Sequence, residues 1–129
     1  MPTPSSFSYA TVRVVPRVER DEFVNVGVIV YSQEQGFLEA RIEVNEKRLR
    51  ALWPSLDVEM VKRHLQAISR IAAGDESAGP IALLPKKERF YWLTSPRSAV
   101  IQISPVRTGL SSNPKHLMGH LTQELVATA

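Results

Sequence analysis

The 129 residues include no cysteine. Disulfides, thiolate metal sites and cysteine nucleophiles are excluded, and the absence fits a cytoplasmic location. Aromatic residues are sparse, at 7%. No apolar run approaches the roughly 20 residues of a membrane-spanning helix, so no membrane association is expected. After Met1 the chain reads Pro2-Thr3-Pro4-Ser5-Ser6, without the basic region and apolar core of a secretory signal. There is no internal repeat, no low-complexity tract and no glycine-rich phosphate loop. A strong charge of one sign is lacking too. The net charge is +3, and the first fifty residues balance seven basic against seven acidic groups. The excess lies late, where Lys86, Lys87, Arg89, Arg97, Arg107 and Lys115 face only Glu88 and Glu124. Such an excess suits an acidic partner or nucleic acid, and equally a solvated surface.

What remains is an ordinary globular composition, 43% hydrophobic and 22% charged, in a chain long enough for one core. A single α+β domain over residues 1–129 is expected, with residues 1–6 as a flexible tail.

The stretch Phe23-Val24-Asn25-Val26-Gly27-Val28-Ile29-Val30-Tyr31 is the most hydrophobic of the chain and has strand length. Strict alternation puts Val24, Val26, Val28 and Val30 on one face and Asn25 and Gly27 on the other. Asn and Gly are both depleted in strand interiors, so they mark either a bulge, with Asn25 tying down the loop over residues 16–22, or a place where a partner rests. Residues 8–15 and 37–43 alternate similarly, which predicts a three-stranded antiparallel meander. Its apolar face would carry Ala10, Val12, Val14, the four valines, Leu38, Ala40 and Ile42.

Asn45 caps a short helix to Leu52, and Ser55 or Asp57 caps a longer one that stops at Gly74. Residues 81–84 suit a short edge strand. Residues 90–94 and 99–104 suit a hairpin turning at Ser95-Pro96-Arg97-Ser98. Residues 105–113 read as an irregular loop, and Asn113-Pro114 opens a final helix with an apolar stripe from Leu117 to Val126. The expected architecture is an antiparallel sheet of about five strands, the meander plus the hairpin, packed on one face by the helices over 57–73 and 114–126.

A charged turn with a Glu, then Asn25-Val26-Gly27-Val28, then Gly36-Phe37-Leu38-Glu39-Ala40-Arg41, with the later Ser95-Pro96-Arg97 and the helix after Asn113-Pro114, resembles the bacterial Domain of Unknown Function family 3037. The resemblance runs from about Tyr9 to Val126. It implies no established activity. Members of that family are often encoded beside HipA-like kinases, which implies such a kinase as a partner.

For chemistry, alternation brings Arg13, Asn25, Glu39 and Arg41 to the side of Gly27, with Arg97 and Arg107 in loops that could border it. Several guanidinium forks beside an Asn and a Gly suit a phosphate or carboxylate, and equally a solvated sheet with cross-strand ion pairs. Glu22 belongs with this set because it precedes the Asn-Val-Gly motif. Glu19, Asp21 and Glu22 could hold a hard cation, but Arg17 and Arg20 already neutralise them, so no metal is expected. His116 and His120 have helical i, i+4 spacing without a third ligand nearby. Phe90, Tyr91 and Trp92 beside Lys86, Lys87 and Arg89 mix aromatics with charge as nucleic-acid sheets do, though consecutive aromatics suit a core better. No serine, threonine or lysine stands in a nucleophile's setting. The reading favoured is a non-enzymatic accessory or protein-binding module without cofactor, partnered by a HipA-like kinase. A nucleic-acid-binding or processing domain, a small hydrolase using Glu22, Glu39 and nearby arginines, and a homo-oligomer remain open.

Overall fold

The computed structural model describes residues 4–16, 20, 22–95 and 100–126. Five strands, β1 (Ser5–Val14), β2 (Val24–Ser32), β3 (Phe37–Ile42), β4 (Ile101–Ile103) and β5 (Arg107–Ser111), form one antiparallel sheet. The order is β3-β2-β1-β4, with β5 also beside β1. Four α-helices accompany it, α1 (Glu46–Leu52), α2 (Val58–Ala73), α3 (Lys86–Thr94) and α4 (Pro114–Leu125). This is the expected α+β class. The first strand begins at Ser5, inside the stretch read as a tail.

Local chemistry sets the helix limits as expected. The side chains of Asn45, Asp57 and Asn113 accept from Arg48, Met60 and His116 backbone N–H groups, so three N-termini have one orphan donor satisfied. Gly74, at φ 76, ends α2 in the left-handed conformation that glycine adopts without a Cβ clash.

The meander forms, but its middle strand does not alternate throughout. Val14 pairs with Val24 and Arg13 with Asn25, whereas Val12 pairs with Gly27, so Val26 is an extra residue in β2. This bulge reverses the strand's phase. Val24 and Val26 face the core built with Leu49, Val61, Leu65 and Leu93, while Val28 and Val30 face the opposite side with Met118 and Val126. The expectation that the four valines share one face is therefore corrected. Ile29 and Tyr31 lie on the side of Val24, and Gly27 joins them.

A second irregularity lies across β1. Val12 pairs with Ile103 and Tyr9 with Arg107, which leaves two residues of β1 opposite the three residues 104–106. Here Ser104 N–H donates to Thr11 O at 2.9 Å and Thr11 N–H donates to the Ser104 hydroxyl at 2.8 Å. β4 and β5 are thus two pieces of one edge strand joined by a bulge at Ser104-Pro105-Val106.

Two layers of helix cover the sheet, one on each face. α2 and α3 pack under Val12, Val14, Val24 and Ala40. α4 packs over Val28, Val30, Tyr9 and Phe37. The sequence placed the two longest helices on one face because it took the apolar valines as a single row.

The segment after α2 departs most from expectation. Residues 80–83 form a 3-10 turn, not a strand. Residues 86–94 are helical, so the hairpin of residues 90–104 is replaced by a helix leading to β4. Phe90 and Leu93, three apart, are buried, and Tyr31 stacks on Phe90 with ring centroids 5.2 Å apart. Buried Arg89 donates from Nη1 to Ala82 O at 3.1 Å and lies against Gly74. Residues 107–111, read as loop, are β5.

Candidate functional site

Arg13, Asn25, Glu39 and Arg41 do emerge on one face of the sheet, since they pair in register with Asn25, Arg13, Val30 and Val28 respectively. Gly27 does not join them. A Cβ there would lie 2.5 Å from Ile42 Cδ1 and 2.9 Å from Arg41 O, so Gly27 is the close approach of β2 to β3 on the α2 side.

The shared face is occupied by α4. Asn25 Nδ2 donates to Leu125 O at 3.1 Å, taking up an orphan carbonyl in the last turn of that helix. Asn25 thus ties down a segment 100 residues away. Arg13 lies with its guanidinium carbon 4.2 Å from the centroid of the Phe23 ring, a cation–π contact. Arg41 pairs with Glu39 at 3.5 Å and runs past Gly119 of α4. Thr11 Oγ1, Arg13 Nε and Asn25 Oδ1 are buried without a hydrogen-bond partner among the described residues. All three come from adjacent positions on this face, so it carries unmet polar capacity beside the end of α4.

The other predicted residues are dispersed. Glu22 forms an ion pair with Arg20. Glu39 sits opposite Val30, about 20 Å further along β2 at strand rise. The two carboxylates cannot act on one bond. Arg107 is exposed on β5, opposite Tyr9. Arg97, Ser98, Glu19 and Asp21 lie outside the described residues. His116 and His120 are exposed, and among the described residues no group of three His, Asp or Glu is placed to hold a metal ion. Tyr91 is exposed on α3 while Phe90 and Leu93 face the core, so the aromatic trio is divided by a helix and forms no stacking platform.

The resolved shifts in titration belong to helix ends. The Glu46 carboxyl is held low by a hydrogen bond from the Lys62 ammonium and by its charge, and Lys62 is raised in return. Asp75 is lowered by hydrogen bonds from the Ser77 hydroxyl and backbone N–H, and by Arg70. These pairs clasp α1 to α2 and close the turn after α2.

Two features remain that alternation alone could not indicate. The first is the edge of β5. Thr11 directs both backbone groups toward the β4–β5 side, and by the two-residue period Tyr9, Phe7 and Ser5 do the same. Their partners Arg107, Gly109 and Ser111 therefore bond inward, leaving the backbone groups of Thr108 and Leu110 directed outward. Leu110 is 73% exposed and Val106 is 45% exposed. At the opposite edge the Ser69 hydroxyl of α2 donates to Ala40 O at 3.4 Å, so β3 is partly covered. The second feature is an apolar cleft of about 600 Å³ between α2, α3 and β4. Both depend on a helix at 86–94 and a strand at 107–111, which the local sequence did not signal.

Among the described residues no helix is long and apolar enough to cross a membrane. No curated protein and no solved structure matches the chain. A family model described as "Protein of unknown function (DUF3037)" matches residues 9–126, from β1 through the end of α4. The match takes in the bulge at Val26, the Asn25 tie to α4 and the β4–β5 edge, and the chain belongs to the DUF3037 family of proteins of unknown function.

Proposed function

We propose that the domain is a non-enzymatic accessory module that binds a protein by strand addition along β5, with a HipA-like kinase as the partner that the family resemblance implies. One observation carries this reading: Thr108 and Leu110 turn their backbone groups outward on an edge where Leu110 is 73% exposed. An added strand would take main-chain hydrogen bonds from these two residues and bury the Leu110 and Val106 side chains. Arg107 and the bulge at Pro105 restrict the edge, as charges and bulges do where indiscriminate pairing must be avoided.

The test is co-expression with a HipA-like kinase, followed by gel filtration and calorimetry of the complex. Thr108→Pro removes one outward N–H and leaves the bonds to β1 intact, so the variant should stay folded and lose the complex. Leu110→Lys should weaken it by roughly 1–2 kcal/mol through lost apolar burial. A complex that forms equally well with both variants would rule out this edge, and failure of the wild-type chain to form any complex would remove the kinase.

A further inference from the structure

We infer that the cleft between α2, α3 and β4 binds an aliphatic monocarboxylate of medium chain length, a role separate from strand addition at β5. Its volume, about 600 Å³, falls within the roughly 300–1,000 Å³ of small-molecule sites. Its walls are mainly apolar, with Ile68 and Ile71 from α2, Trp92 and Leu93 from α3, and Ile101 and Ile103 from β4. Among the described residues, Arg63 and His64 are the only charged or ionisable side chains that line it, and no carboxylate does.

The two ionisable groups both come from the first half of α2. Arg63 precedes Ala67 by one helical turn, and His64 likewise precedes Ile68, which continues to Ile71. The line along α2 therefore runs from two nitrogen-bearing side chains to aliphatic ones. Arg63 is exposed and has no carboxylate partner among the described residues. The two hydroxyls at the other wall are already committed, because Thr94 Oγ1 donates to Phe90 O at 2.8 Å and Ser95 Oγ donates to Tyr91 O at 2.6 Å. An amphiphile with its chain against the isoleucines and its carboxylate at the Arg63 fork satisfies both ends, since the guanidinium pairs with carboxylates bidentately.

The experiment titrates the intact protein with decanoate and with decanol, below their aggregation concentrations, by calorimetry and by amide chemical shifts. Decanoate should bind more tightly than decanol and shift amides of α2, α3 and β4. Arg63→Ala should weaken decanoate about five-fold, as a partly exposed ion pair allows, and leave decanol unchanged. Ala67→Trp, which fills the cleft, should abolish both. Absence of decanoate binding, shifts confined to other elements, or binding retained in folded Ala67→Trp would each overturn the site. Equal affinity for decanoate and decanol would overturn its assignment to carboxylates. Should Ala67→Trp fail to fold, the shift map of the wild-type protein decides alone.

Discussion

Gly27 and Asn25 stand out in the sequence as residues that a β-branched strand should not contain, and both have structural work. Gly27 lets β2 approach β3, because any Cβ would meet Ile42 Cδ1 at 2.5 Å and the Arg41 carbonyl at 2.9 Å. The second contact is backbone and cannot turn away. Gly27→Ala should therefore destabilise the domain by roughly 1–3 kcal/mol, read as a lower urea midpoint at unchanged slope, and Gly27→Val by more. An unchanged midpoint would show that β3 gives way freely. Asn25→Ala should cost about 1–2 kcal/mol by leaving the Leu125 carbonyl without its donor, with the loss seen first as faster amide exchange in the last turn of α4. That these two positions were special could be read from propensity. Which way they point could not, because one inserted residue, Val26, inverts every inference drawn from period-two alternation.

At the scale of elements, legibility followed the strength of local signals. α1, α2 and α4 each have a side-chain cap and an apolar stripe, and their limits agree with the sequence to within a residue or two. α3 has neither a capping side chain nor a marked stripe, and its Phe-Tyr-Trp run has strand propensity. Tertiary packing of Phe90 on Tyr31 and of Arg89 against the end of α2 decides the matter. β5 escaped notice because Gly109 and its polar neighbours look like loop, while its hydrogen bonds come from β1. The clasp between α1 and α2 gives a pH prediction. The Glu46 carboxyl titrates lower folded than unfolded, so its contribution is complete above the ordinary carboxylate range and fades as pH falls through the lowered folded value. Lys62 titrates higher folded than unfolded, so its contribution is complete below the ordinary lysine range and fades as pH rises through the raised value. The difference in melting temperature between wild type and Glu46→Gln should be constant near neutrality and shrink at both extremes. A difference independent of pH would show that the clasp contributes nothing through its charges.

For the whole molecule, the class was legible because composition, turn residues and caps agree with one another. The strand count agrees only because residues 90–94, a helix, stood in the expectation where β5 was missed. The division of helices between the two faces was not legible, since it depends on the bulge in β2. That bulge and the one at residues 104–106 fall beside the same part of β1, from Tyr9 to Arg13, one on each side. Each adds bend and twist where it lies. Side by side, they should crease the sheet across its strands, with β1 passing through the crease. α4 rests mainly on one side of it, over Val28, Val30 and Tyr9, but its last turn is fastened by Asn25 to the other. On that face α4 thus bridges the crease, with Asn25 as the buckle at its last turn. Loosening it should let the β4 and β5 halves of the edge swing relative to each other.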